Sequence, residues 1–277
     1  MIFKRTGSLA EVMMLIPIVN EWSMVYPDMR VSVETRFPEV FKGNPNVKQS
    51  AIYIDNDEEQ VINFDEVDDY VLQAHLIDLY ANRLFNDVRL HDRRFKLFPE
   101  EKEKSHIDEL LESRHCTKKI AVCCFSNNKW CDIDSKVAQG VMENLSKDYD
   151  VVCVAGIDGL SLHEIYWLIQ KADLYVGLDN DVSYIAMATD TPMVMAFSCR
   201  NPRYRFPFRQ GIPFETLFSS LVCEEAEFCL KENGSYEPGI FHYIVCPMSE
   251  KLKCMSYLTE NHFEGAVKRV EQCMSKL

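Results

Sequence analysis

The chain has 277 residues, 47% of them hydrophobic and 26% charged, with a formal net charge of −13. That is the size and mix of a folded protein with one large domain or two of ordinary size. The acidic total argues against a generally adhesive nucleic-acid or membrane surface, and no apolar run approaches the ~20 residues that cross a bilayer.

The first residues, MIFKRTGSLAEV, carry basic side chains but no long apolar stretch before Glu11, so no signal peptide is expected. The 11 cysteines lack C-x-x-C spacing. They are expected to be reduced thiols in a cytoplasm rather than zinc ligands. Charge is unevenly spread. Residues 55–69, DNDEEQVINFDEVDD, hold eight acids and no Lys or Arg, whereas 200–211, RNPRYRFPFRQG, hold four Arg and no acid. A local anion site is therefore compatible with the acidic total.

In chain order, a loop at 5–10 leads to a helix over 11–26 that stops at Tyr26-Pro27. RVSVET (30–35) alternates like a strand, FPEVFKGNPNV reads as a short helix and a turn at Gly43-Asn44-Pro45, and AIYID (51–55) reads as a second strand. Residues 66–86 have helical periodicity, with Val67, Tyr70, Val71, Ala74, Ile77 and Leu84 on or near one face. The charged segment 99–118 begins with Pro and is read as the domain boundary. Beyond it, KIAVCCFS (119–126), DVVCVAG (150–156), DLYVGL (173–178) and PMVMAFS (192–198) read as buried strands. Helices are expected over 134–147, 160–172 and 182–189, with a last helix over 259–275. Such alternation predicts parallel sheets covered on both faces, in an α/β protein of two Rossmann-like domains, 1–115 and 116–277. Ligands in such sheets bind at the carboxyl ends of the strands.

Several segments, in order, carry a family likeness. They are Leu9-Ala10-Glu11-Val12 with Pro17, Tyr26-Pro27, Asn44-Pro45-Asn46-Val47, Asn127-Asn128-Lys129-Trp130, the block SLHEIYWLIQKADLYVGLDNDVSYIAMATDTPMVMAF (161–197), and Cys254-Met255 before the last helix. Together they resemble glycosyltransferase family 9, the ADP-heptose:lipopolysaccharide heptosyltransferase-like family, over most of the chain. The resemblance implies a GT-B fold, with an acceptor-side first domain and a nucleotide-sugar-binding second one. It implies an inverting, metal-independent glycosyltransferase with no cofactor beyond the donor co-substrate. The departures are specific. The family's Gly-Asp is Ala10-Glu11 here, and its Asp-Ser-Gly-Pro-x-His turn is Asp179-Asn180-Asp181-Val182-Ser183-Tyr184. The segment between Gly156 and Ser161 is also much shorter than in the family, so the donor need not be ADP-heptose.

Sugar transfer needs a base for the acceptor hydroxyl and stabilisation of a departing diphosphate, through an oxocarbenium-like transition state. Glu11 matches the family's catalytic Asp; on its residues alone it is equally a helix-start acid favoured by the dipole. Ser126, Asn128 and Lys129 lie between a strand and a helix, where loops bind phosphate, and Lys129 is the expected phosphate contact. Asp179, Asn180, Asp181 and Ser183 form the expected donor turn, in which Asp179 also reads as a plain N-cap. Three Asp-x-Asp matches, at 55–57, 132–134 and 179–181, are attributed to the abundance of acids, and no metal is expected.

Two segments interleave Arg with aromatics. One is VRLHDRRFKLF (88–98), with Arg89, Arg93, Arg94, Lys96, Phe95 and Phe98; the other contains Arg200, Arg203, Tyr204, Arg205, Phe206, Phe208 and Arg209. Phosphate contact plus base stacking uses such residues. Three readings stay open at this stage. The favoured one is transfer of sugar to a hydroxymethylated base in double-stranded DNA, as tailed phages encode. The others are transfer to lipopolysaccharide or a related bacterial glycan, and an inactive sugar-nucleotide-binding module. In each the protein is expected in a cytoplasm, with no transmembrane segment.

Overall fold

The structure is a computed structural model that describes residues 1–55, 59–67, 74–85, 89–125, 133–197, 202–205, 211–218, 255 and 257–276. The first lobe contains β1 (Ile2–Lys4), α1 (Leu9–Met13), α2 (Ile16–Val25), β2 (Val31–Glu34), β3 (Val47–Ala51), β4 (Val61–Asn63) and α3 (Leu76–Phe85). Its sheet is parallel with strand order β3-β2-β1-β4. After α4 (Glu101–Ser113) come β5 (Lys119–Cys124), α5 (Ser135–Leu145), β6 (Tyr149–Cys153), α6 (Leu162–Gln170), β7 (Leu174–Leu178), α7 (Asp181–Ala186), β8 (Met193–Phe197), β9 (Phe214–Phe218) and α8 (Glu260–Met274). These build a second parallel sheet of order β6-β5-β7-β8-β9.

The second sheet shows why its strands read as continuous apolar runs. Side chains alternate between faces, and both faces are covered. Val122, Tyr175, Met193, Met195 and Phe197 join a core shared with α6, α7 and the first lobe. Ala121, Leu174, Val176, Val194 and Ala196 join a separate core with α5 and α8. No helix of the described residues is long and apolar enough to cross a membrane.

Several expectations are corrected. The helix of 11–26 is two helices, because Pro17 has no N–H for the Met13 carbonyl and α2 restarts with Pro17 in its first turn. The strand at 51–55 lies earlier, over Val47–Ala51, and Ile52 and Tyr53 are 69% and 71% exposed. β4 lies inside the acidic run, too short at three residues to show periodicity. The helix of 66–86 is α3, starting at Leu76; Ala74 is outside it, Val67 follows a 3-10 turn over Phe64–Glu66, and Tyr70 and Val71 lie outside the described residues. β9 was missed altogether.

The segment read as a linker is the 13-residue helix α4. It packs on α6 with Ile107 fully buried. A His106–Glu164 hydrogen bond and an Asp108–Lys171 ion pair flank that contact, and Lys42 of the first lobe reaches Glu100 at its start, 2.9 Å away. Glu164 is partly desolvated, which raises its pKa, but its bonds to His106 and to the Ser161 N–H and hydroxyl outweigh this and hold it below the ordinary 4.5. The unfolded chain thus binds the proton more readily, so this contribution is complete above about pH 4.5 and is lost as pH falls through the folded value. Melting scans are expected to show a drop below about pH 4.5 that is smaller in Glu164→Gln.

Candidate active site

β1 ends at Lys4, and the chain turns through Arg5, Thr6, Gly7 and Ser8 into α1. Glu11 sits in the first turn of α1 and is 4% exposed. Its Oε2 accepts the Ser8 backbone N–H at 2.7 Å, the return half of a capping box, and lies 3.0 Å from Arg5 Nη2. Arg5 is also buried. Its Nη1 donates to the Phe64 carbonyl at 2.9 Å and lies 3.5 Å from Asp65 Oδ1, while the guanidinium sits over the Tyr80 ring. Asp65 in turn accepts the Thr6 N–H and hydroxyl, both at 2.8 Å. The loop after β1 is thereby fastened to the end of β4. Gly7 makes this possible, because a Cβ there would lie 1.9 Å from Glu11 Oε2. Glu11 therefore has a structural task beside any chemical one.

The turn after β7 is built as tightly. Asn180, not Asp179, caps α7: its Oδ1 accepts the Ser183 N–H at 3.1 Å, and its Nδ2 donates to the Cys124 carbonyl at 3.3 Å. Ser183 is fully buried, with its hydroxyl 2.5 Å from the Leu178 carbonyl and 2.7 Å from the Tyr175 hydroxyl. Gly177 leaves room for this pair, since a Cβ would come within 2.4 Å of the Tyr175 oxygen. Ser183 and Asn180 thus shape the turn from within. Asp181 is exposed in the first turn of α7, where negative charge suits the helix dipole. Asp179 is 8% exposed, and its carboxylate makes no hydrogen bond or ion pair with the other described residues. Asn180→Ala is expected to lower stability by about 1–2 kcal/mol, through loss of the cap and the tie to β5, as measured by denaturant unfolding.

The two loops meet. α1 packs on α7, and Leu9, Ala10 and Val12 share a core with Tyr184, Ile185 and Ala186. Tyr184, where the family has His, is 1% exposed. Glu11 and Asp179 are thus buried carboxylates in segments that follow the carboxyl ends of strands in different sheets. Behind Asp179, β5 and β7 end side by side, with Cys124 opposite Gly177.

Ser126, Asn128, Lys129 and Arg200 lie outside the described residues. Arg93 Nη2 is 3.0 Å from Asp78, and Arg94 grips Asp92 through Nε at 2.9 Å and Nη2 at 2.7 Å. That grip holds the Asp92 carboxyl below its ordinary range. Phe95, expected beside them as a stacking ring, is 4% exposed and part of the core. Arg93 and Arg94 are therefore compensated by carboxylates, while Arg89 and Lys96 are exposed, Lys96 over the Phe98 ring. Arg203 is exposed and Arg205 buried, around a 3-10 turn over Pro202–Tyr204.

Sequence reasoning missed the supports of Glu11. Gly7 was legible as a loop glycine. Arg5, Thr6 and Asp65 were not, because their contacts span 59 residues. Among the described residues no three His, Cys, Asp or Glu side chains are grouped to hold a metal ion.

No family model matches the sequence, and no curated protein does. Solved structures match in shape. A glycosyl transferase family 9 protein from Veillonella parvula superposes with a TM-score of 0.72 at 12% identity, over 97% of this chain and 96% of that one. The iron-containing dodecameric glycosyltransferase TibC from enterotoxigenic E. coli gives 0.71 at 15% identity, over 100% of this chain and 79% of that one. E. coli ADP-heptose lps heptosyltransferase II gives 0.59 at 13% identity, over 98% of each chain. TibC's iron has no counterpart cluster among the described residues here. With two parallel α/β sheets whose strand-end loops meet at α1 and α7, the chain has the GT-B fold of these glycosyltransferases.

Proposed function

We propose that the protein is a glycosyltransferase that moves a sugar from a nucleoside-diphosphate donor to an acceptor hydroxyl. Residues 1–115 serve as the acceptor-side lobe and 116–277 as the donor-side lobe. The observation that carries this reading is the meeting of the Glu11 loop with the Asp179 turn, in a fold shared with such enzymes. Glu11 accepts the acceptor hydroxyl's proton as the oxygen bonds to the anomeric carbon. The bond from that carbon to the diphosphate breaks on the opposite face, so configuration inverts, and the diphosphate leaves with the electron pair. Asp179 orients donor hydroxyls, and Ser126, Asn128 and Lys129, which follow β5, contact the diphosphate without a metal ion.

A glycan acceptor now stands ahead of hydroxymethylated DNA. A duplex asks for several free cations facing its phosphates. Arg93 and Arg94 are paired with Asp78 and Asp92, and the first lobe carries the eight acids of 55–69. The test is calorimetric titration with ADP, UDP, GDP and CDP and their sugars, in EDTA. One nucleotide class is expected to bind one-to-one with a micromolar-order Kd; binding by none of them contradicts the proposal.

A further inference from the structure

Only one pair of adjacent large apolar side chains lies exposed, among the described residues, at the carboxyl edge of the first sheet. Met24, Val25, Tyr26 and Met29 are also exposed, but they close α2 and lead into the start of β2, at the opposite edge. Ile52 and Tyr53, 69% and 71% exposed, follow β3 directly. They are not a loose end. Before them, the Ala51 carbonyl accepts the Thr35 N–H at 2.8 Å. After them, Ile54 is buried and donates its N–H to Glu34 Oε2 at 3.1 Å. Glu34 Oε1 is held in turn by Lys4 Nζ at 2.6 Å. The pair forms a short arch fixed at both feet. Leaving two such side chains in water forgoes burial that a core position would supply.

We propose that Tyr53 and Ile52 form a stacking platform for a sugar ring of an uncharged saccharide acceptor, one unit away from the hydroxyl that reacts. The inference rests on the transferase reading above and adds the acceptor class. Position supports it. β3 is two strands from β1 in the sheet order, so the platform stands about 10 Å from the end of the strand that leads to Glu11. Chemistry supports it too. A sugar ring presents a face of C–H groups, which a tyrosine ring shields from water while its hydroxyl stays wet. Charge selects the class. Lys4, Arg5 and Arg83 are each paired, with Glu34, Asp65 and Glu66, at these strand ends or in the segments that follow them. A phosphate would find those three cations already taken, whereas a neutral saccharide asks for none.

Saturation-transfer NMR on the full chain tests this without requiring turnover. The probes are methyl glycosides and neutral disaccharides of hexoses and heptoses, a phosphorylated disaccharide, and a short DNA duplex. Neutral disaccharides are expected to bind, with saturation on ring C–H protons. Tyr53→Ala weakens this about tenfold, Tyr53→Phe keeps it, and Tyr257→Ala, at an exposed tyrosine of the other lobe, leaves it unchanged. No saccharide binding, binding indifferent to Tyr53→Ala, or preference for the phosphorylated probe or the duplex overturns the proposal. So does a fall in sedimenting mass in Ile52→Ser, which assigns the patch to a second copy of the chain. Nucleotide binding in the calorimeter is a separate readout, so failure here and failure of the transferase reading are told apart.

Discussion

Glu11→Gln is expected to lower turnover by about 10²–10⁴-fold while donor affinity changes by less than about twofold. The amide keeps the shape of the side chain and an oxygen for the Ser8 N–H, so the start of α1 survives. What it loses is proton affinity and the 3.0 Å charge contact with Arg5. Arg5 keeps the Phe64 carbonyl and Asp65, so it is not stranded. Donor binding rests on the other lobe and should persist. Turnover measured with donor and acceptor saturating, next to a donor titration of the same sample, checks both halves. A mutant as fast as the parent makes Glu11 a capping and ion-pair residue only.

Gly7→Ala is expected to reproduce much of that loss without touching a carboxylate. Its methyl would sit 1.9 Å from Glu11 Oε2, well inside contact distance. The oxygen is the end of a flexible side chain, but it is pinned by Ser8 and Arg5. Moving it leaves a partly buried N–H unsatisfied and weakens a buried ion pair, at a cost of about 1–3 kcal/mol. Turnover should fall at least tenfold, with donor affinity kept. Gly156→Ala is the control, because nothing lies within 4 Å of a Cβ there. Denaturant unfolding and turnover of the two variants measure the difference; equal behaviour shows that the Glu11 loop has slack.

The second lobe was the more legible in sequence, and the reason is physical. Its strands are buried on both faces, so KIAVCC, LYVGL and MVMAF stand out as apolar runs between amphipathic helices. In the first lobe the two outer strands, β3 and β4, are short and lie near the surface. β4 has three residues inside an acidic run, and β3, VKQSA, is half polar because it is an edge. α4 looked like a linker since only Ile107 of its residues is fully buried. At the candidate site, Glu11 and the Asp179 turn were singled out by the family resemblance, not by their residues alone. The Arg5–Asp65 fastening and the Asn180–Cys124 tie join residues 60 and 56 apart in sequence, and local pattern carries no trace of them. The paired state of Arg93 and Arg94 was hidden for a different reason: an Arg in sequence gives no sign of whether a carboxylate holds it.

The most direct test of the whole account is release of nucleoside diphosphate from the donor that binds, in EDTA, with a neutral disaccharide, with hydroxymethylcytosine DNA, and with no acceptor. The account predicts release that depends on the disaccharide and disappears in Glu11→Gln. Release with DNA alone, or no release with any acceptor despite tight donor binding, contradicts it; the second result leaves the protein as a sugar-nucleotide-binding module without turnover.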